Sequence, residues 1–378
     1  MTDHIRPAAH HGAATEPGTD TGAGPGADTS TGTDTGTSTG STGAFPGAGV
    51  SGAGREHGAD ARHRSRTHTT VPVTGGDLAV THWPGTGAPV IALHGITANS
   101  LAFAALAEAL PRTDLHALDL RGRAASAHLP GPYGLTAHIE DTLAVLDHLG
   151  RHQAVLIGHS MGAFIAALAA ARHPDRFPHV ILLDGGLPLP LPPDCTGSDG
   201  GPDAEQILHR LIGPALDRLA LTFASREAYH AHFRENPGVG PYWDHHFAAY
   251  VDHDLAGRPP AFRSSCRPEA VRTDATDILT DADLHTALHR PHTRAALLYA
   301  ERGALDQPEP FYTPQQIATH LGDATHVTAQ HIKDTNHYTI LHAPTPDTVA
   351  VISSVLDSTG TDRLTNRQET PEGEQAAH

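Results

Sequence analysis

Ser160 sits in the pentapeptide Gly158-His159-Ser160-Met161-Gly162, between a short apolar run, Ala154–Ile157, and an alanine-rich helical stretch. A serine hydroxyl is hardly ionised at neutral pH. Using it as a nucleophile requires a base, an acid that orients the base, and donors for the negative charge that develops on an attacked carbonyl. A strand–turn–helix setting exposes such a hydroxyl on a tight turn, and small residues two positions to either side avoid collision across it. Gly158 and Gly162 therefore read as elbow glycines. The pattern alone says little, because Gly36-Thr37-Ser38-Thr39-Gly40 also matches it, in a segment without helical or strand periodicity.

Position selects a base among the 31 histidines. Asp334-Thr335-Asn336-His337-Tyr338 follows the last strand-like run, which places His337 at the sheet edge that Ser160 occupies. Gly303-Ala304-Leu305-Asp306 follows the run Ala295–Ala300, and the order Ser160, Asp306, His337 puts the acid before the histidine. Asp306 is the expected acid, with a turn-capping role as its structural alternative. Asp184, directly after the preceding strand, is the competing acid, and Glu301 is a weaker one because it lies so near a strand end. His94-Gly95-Ile96-Thr97 follows another apolar run, and the backbone N–H groups of Ile96 and Met161 are the natural oxyanion donors. Gly95 lets the chain approach a substrate closely. His94 reads as a packed, loop-bridging side chain in preference to a proton carrier.

These residues need a sheet to hold them. Thr69–Val73 and Asp77–Trp83 form a hairpin pattern, and Pro89–Leu93, Leu115–Leu118, Ala154–Ile157 and Val180–Leu183 are short apolar runs. Between them, Asn99–Leu110, the segment from Thr136 to Gly150, and Ala163–Arg172 carry helical periodicity. Strands apolar throughout, separated by amphipathic helices, predict a mostly parallel sheet with helices on both faces. The alternation breaks from about Gly186 to His292, which is helix-like with no convincing strand, and resumes with Ala295–Ala300, Thr313–His320, His326–Gln330 and Asp347–Leu356. The expected organisation is a core of residues 69–186 and 293–357 with a helical cap of residues 187–292. Residues 1–68, rich in Gly and Thr, and residues 358–378 are too polar to offset their ordering entropy and are expected to be disordered tails.

The formal charge of −17, with Lys333 the sole lysine, argues against nucleic acid as a partner. Two cysteines, Cys195 and Cys266, read as reduced thiols ahead of a single disulfide. No apolar run approaches the length of a membrane span and the N-terminus lacks a secretory pattern, so a cytoplasmic protein is the expectation. The 187–292 region contains Phe223, Tyr229, Phe233, Tyr242, Trp243, Phe247, Tyr250 and Phe262. They read equally as a cap core and as the lining of an apolar or aromatic pocket. His230-x-His232 and His245-His246 lack an evident ligand set, so no metal and no cofactor are expected.

The segments HGIT, DLRGR (Asp119–Arg123), GHSMG, GALD and NHYT, in this order over residues 70–356, resemble the α/β-hydrolase superfamily, specifically its bacterial serine-nucleophile members with a helical cap. The resemblance implies an α/β-hydrolase fold: an eight-stranded, mostly parallel sheet with the cap inserted after strand 6. It also implies Ser160 as nucleophile, His337 as base, Asp306 as acid, and Ile96 and Met161 as oxyanion donors. Relatives commonly read D-x-R-G-x-G-x-S where this chain has Ala124 in place of the second glycine. Arg121 and Arg123 in that loop read as loop-bracing. The expected activity is hydrolysis of a small-molecule carboxylic ester without a cofactor. C–C bond hydrolysis and haloperoxidase-like chemistry use the same residues, and a non-catalytic ligand-binding protein on this fold is the alternative from another class.

Overall fold

The computed structural model describes residues 64–189, 204–290, 294–322 and 324–366, all within the unit Ala61–His378. The expectations for residues 1–63 (the Ser38 pentapeptide included), for Cys195 and for residues 367–378 lie outside the described residues.

In chain order the strands are β1 (Thr67–Val73), β2 (Gly76–Trp83), β3 (Pro89–Leu93), β4 (Asp114–Leu118), β5 (Val155–His159), β6 (His179–Leu183), β7 (Leu255–Arg258), β8 (Ala261–Ser264), β9 (Arg294–Arg302) and β10 (Val327–Asn336). The helices are α1 (Ala104–Ala109), α2 (Leu135–His148), α3 (Met161–Arg172), α4 (Ala204–Asp217), α5 (Arg226–Arg234), α6 (His245–Asp254), α7 (Pro268–Thr280), α8 (Pro314–Leu321), α9 (Thr339–His342) and α10 (Pro346–Asn366). Eight strands form one sheet in the order β1-β2-β4-β3-β5-β6-β9-β10. β1 and β2 pair antiparallel and β2 runs antiparallel to β4, while every pairing from β4 to β10 is parallel.

The strand alternation explains the two layers. Ile91, Leu93, Leu156, Val180, Leu182 and Leu297 point into one core with α2, α3 and α8. Val90, Ala92, Val155, Ile157, Ile181 and Leu298 point into the other with α1, α9 and α10. Since successive side chains leave a strand on opposite faces, a strand covered on both sides is apolar at nearly every position. β3 (PVIAL) and β5 are buried at all five positions. Helix α3 buries every residue from Met161 to Ala171, and its alanines allow it to pack closely against β5 and β6.

Between β6 and β9 the inserted segment carries α4 to α7, and also a two-stranded antiparallel ribbon, β7–β8, that the helix-like reading did not anticipate. Phe223 bridges to Phe262 of this ribbon. At the other end, α10 runs on to Asn366, so residues 358–366 are helical where a tail was expected. Among the described residues no helix is long and apolar enough to cross a membrane.

Candidate active site

The turn after β5 holds Ser160 at φ +53°, ψ −119°, a conformation that L-residues rarely adopt. Packing fixes this strain in place. The Ser160 N–H donates to the Leu183 carbonyl at the end of β6 (3.0 Å), and the Ser160 carbonyl accepts from Ala163 N–H (2.9 Å). The two glycines of the pentapeptide are sterically required: a Cβ on Gly158 would lie 2.1 Å from the Gly162 carbonyl oxygen, and one on Gly162 would lie 1.9 Å from the Leu93 carbonyl oxygen. Gly185, which the sequence reading left unmarked, has the same role, since its Cβ would sit 2.4 Å from the Ser160 carbonyl oxygen.

His337 follows β10 and is buried. Its Nδ1–H donates to Asp184 Oδ2 at 2.7 Å. Asp184 is itself fully buried directly after β6, where its Oδ1 accepts from the Ala300 N–H at 3.1 Å. The carboxylate is thus held by one backbone donor and one imidazole, and its own φ of +47° aims it from the strand end toward β10.

The expectation that Asp306 orients His337 is therefore corrected. Asp306 lies on the turn after β9, 30% exposed. Its Oδ1 accepts from Arg302 Nε (2.8 Å) and Asn336 Nδ2 (2.9 Å). Asn336 in turn accepts from the N–H groups of Tyr338 and Thr339 through its Oδ1, both at 2.9 Å. Asp306 thus braces the loop carrying His337 at one remove. The bonds from Asn336 and Arg302 hold its carboxyl below the usual range against a desolvation effect of opposite sign.

Several side chains around this pair hold backbone. His159, the residue before Ser160, donates Nε2–H to the His337 carbonyl (2.7 Å), tying the Ser160 turn to the His337 loop. Burial, and then the nearby His337, push its pKa far down, so it stays neutral. Phe311 stacks on the His337 ring at 4.2 Å. His94 donates Nδ1–H to the Gly95 carbonyl (2.7 Å) and accepts at Nε2 from Leu120 N–H (3.0 Å), which fixes one neutral tautomer. Burial pushes its pKa down to about 3. His94 is a loop-bridging group, as its position suggested.

The loop 94–97 and the start of α3 present the two expected donors. In a trans peptide the C=O and the following N–H point in opposite directions. The Gly95 carbonyl is taken by His94 and by Ala98 N–H (3.1 Å), which turns the Ile96 N–H the other way. The Ser160 carbonyl is turned into the helix, so Met161 N–H, at the first helical position, points out of its N-terminus without an intrahelical partner. Beside this region lies a cavity of about 260 Å³. Its walls include Thr97 (next to Ile96), Tyr338 (next to His337), Arg218, Phe233, Phe247 and Tyr250. The inserted aromatics form both an edge-to-face core of their own, as in Tyr229–Phe233 (5.2 Å), and part of this lining.

Away from Ser160, two groups of metal-ligating side chains come together among the described residues: His82, Asp114 and His116, and Glu108, His245 and His246. Glu108, from α1, supplies a carboxylate to the His245-His246 pair that the linear sequence did not reveal, 3.2 Å from His246. His230 pairs instead with Asp252 at 2.8 Å. Buried Cys266 carries a free thiol, pushed up to about 11 by burial.

The sequence profile described as alpha/beta hydrolase fold matches residues 88–236. Lipase LipV of Mycobacterium tuberculosis is 33% identical over 114 residues, covering 30% of this chain and 43% of the lipase. N-formylmaleamate deformylase of Pseudomonas putida is 28% identical over 229 residues, covering 59% of this chain and 74% of that enzyme. The chain thus spans less than half the length of the lipase and more of the deformylase. Among solved structures, E-2-(acetamidomethylene)succinate hydrolase superposes with a TM-score of 0.64 at 20% identity, covering 78% of this chain and 100% of that one, a likeness of fold.

Proposed function

We propose, for a chain that belongs to the α/β-hydrolase superfamily, that Ser160, His337 and Asp184 form the catalytic set of a serine hydrolase that cleaves a carboxylic ester through an acyl-enzyme. One observation carries the reading: a buried carboxylate–imidazole bond of 2.7 Å on a loop that His159 ties to the turn holding a serine at positive φ. Superfamily membership supports hydrolase chemistry, and the ester as the bond cleaved is our inference from the serine machinery.

With Nδ1–H committed to Asp184, the free Nε2 of His337 is the basic nitrogen. It takes the Ser160 Oγ proton as the oxygen attacks the ester carbonyl. The N–H groups of Ile96 and Met161 receive the oxyanion, and each such donor is worth roughly 3–4 kcal/mol to the transition state. Collapse of the tetrahedral intermediate breaks the bond to the alkoxy group, which leaves as alcohol with the proton from His337. The same nitrogen then activates water against the acyl-enzyme and restores Ser160.

The inserted segment acts as a cap in this reading, and its aromatic cavity suits an apolar or aromatic substrate portion. A fluorophosphonate probe and short p-nitrophenyl esters test the proposal. Wild type should be labelled and should turn over ester, while Ser160→Ala should do neither. A folded wild type that resists the probe refutes it.

A further inference from the structure

Three consecutive carbonyls of the oxyanion loop are each held by a side chain or turn. Gly95 is held by His94 and Ala98, as described. The Ile96 carbonyl accepts from both Nε (3.1 Å) and Nη2 (2.9 Å) of Arg123, and the Thr97 carbonyl accepts from Arg218 Nη2 (3.2 Å). Both guanidinium groups are buried, and both are neutralised by carboxylates from the inserted segment. Arg123 Nη2 lies 2.5 Å from Asp274 of α7, and Arg218 pairs with Asp254 at the end of α6. Asp274 also accepts from the Gly134 N–H at 2.8 Å and sits 3.1 Å from His138 Nε2. Asp254 also bonds Tyr229, Ser264 and Ser265.

From this geometry we infer that Arg123 and Arg218 are positioning residues for the oxyanion loop, and that Asp274 and Asp254 make its alignment depend on the seating of the inserted segment. Pinning the carbonyls of residues 95, 96 and 97 fixes the peptide planes on both sides of the Ile96 α-carbon, and so the direction of its N–H. A buried guanidinium keeps that role only while its carboxylate is in place, since an unpaired buried charge is strongly unfavourable. Lifting the inserted segment therefore takes Asp274 from Arg123 and carries Arg218, with its partner Asp254, away from the Thr97 carbonyl, which releases the loop. The cap would govern oxyanion stabilisation as well as access.

This inference rests on the serine-hydrolase reading, and its test separates the two. Arg123→Lys keeps the charge and loses the two-pronged grip on Ile96. Asp274→Asn keeps the shape and loses the counter-charge, and it serves if the lysine variant does not fold. Each is compared with wild type for kcat, KM, the rate of fluorophosphonate inactivation and the melting temperature. A misaimed donor is a fraction of a lost one, which is worth roughly 100- to 1,000-fold in kcat. The expected result is a 10- to 100-fold fall in kcat and the same factor in inactivation rate, since the phosphonyl oxygen uses the same donors. KM should stay within about threefold. Folded variants with unchanged kcat, or with kcat and KM displaced together and inactivation unchanged, overturn the inference. A wild type that neither hydrolyses ester nor reacts with the probe overturns the underlying reading instead.

Discussion

Replacing Asp184 with Asn tests the acid assignment, because the structure dictates which way the introduced amide must face. Asp184 Oδ1 accepts from the Ala300 N–H, and Oδ2 accepts from His337 Nδ1–H. In the variant the amide oxygen stays with the backbone N–H, since an NH2 group there would meet a donor. The NH2 then faces Nδ1, which must become an acceptor, and the ring proton moves to Nε2, the atom that has to receive the Ser160 proton. The base is then present in the wrong tautomer. Asp184 is fully buried, so water cannot relieve the mismatch. A change of this kind lowers kcat by on the order of 10⁴, or about 5.5 kcal/mol at roughly 1.4 kcal/mol per tenfold. Asp306→Asn is the matched control. Its bond to Arg302 is partly exposed, and pairs of that kind are worth at most about 1 kcal/mol, or roughly fivefold. Steady-state hydrolysis of p-nitrophenyl acetate by both variants, with circular dichroism to confirm folding, decides the matter. Loss of 1,000-fold in the Asp306 variant, or retention of a tenth of the activity in the Asp184 variant, refutes the argument.

Two further predictions concern stability. Ala124, the departure from the D-x-R-G-x-G-x-S pattern noted above, sits at φ +43°. A left-handed L-residue is disfavoured by roughly 1–2 kcal/mol, and glycine loses about 0.5–1 kcal/mol to backbone entropy. Ala124→Gly should therefore stabilise the protein by about 0.5–1 kcal/mol, raising the thermal midpoint by about 2 °C with activity unchanged. A lower midpoint contradicts it. His342 is buried against Phe247 and Tyr250, and burial, then the nearby His246 and His337, push its pKa down to about 3. A histidine depressed in the folded state contributes stability above its unfolded pKa of about 6.5, and that contribution is lost as pH falls toward 3. His342→Phe keeps the stacking and removes the titration. Wild type should thus lose about 1 kcal/mol more than the variant between pH 6 and pH 5 in denaturant melts, and parallel pH profiles would contradict this.

The sheet was largely legible because strands buried on both faces are nearly all apolar, His116 of β4 and His159 at the end of β5 excepted. PVIAL (Pro89–Leu93) matches β3 to the residue, and the other core strands differ mainly at their ends. The β7–β8 ribbon was hidden because LAGR and AFRS are short, partly exposed and lack the apolar run of a core strand. Ser160 and His337 were placed by strand–turn context, whereas the choice between Asp184 and Asp306 was not open to that logic. Both follow a strand and both precede the histidine, and only the reach of a side chain across two neighbouring strands separates them. The same holds for Arg123 and Arg218, whose partners lie 151 and 36 residues away along the chain. Nothing in their local sequence distinguishes a guanidinium that grips a loop from one that faces water.

Among the described residues other than glycine, five have positive φ: Ala124, Ser160, Asp184, Asp306 and Asp334. Three of these carry the proposed nucleophile, its acid, or the bracing of the base loop. This distribution bears on laboratory evolution. Glycine relieves a left-handed backbone wherever it occurs, so selection for heat tolerance alone is drawn to these positions, and at 160 and 184 the relief deletes a reacting or orienting group. Thermal hardening and catalytic fitness part company at the strand ends, while Ala124 leaves one such route that both can share.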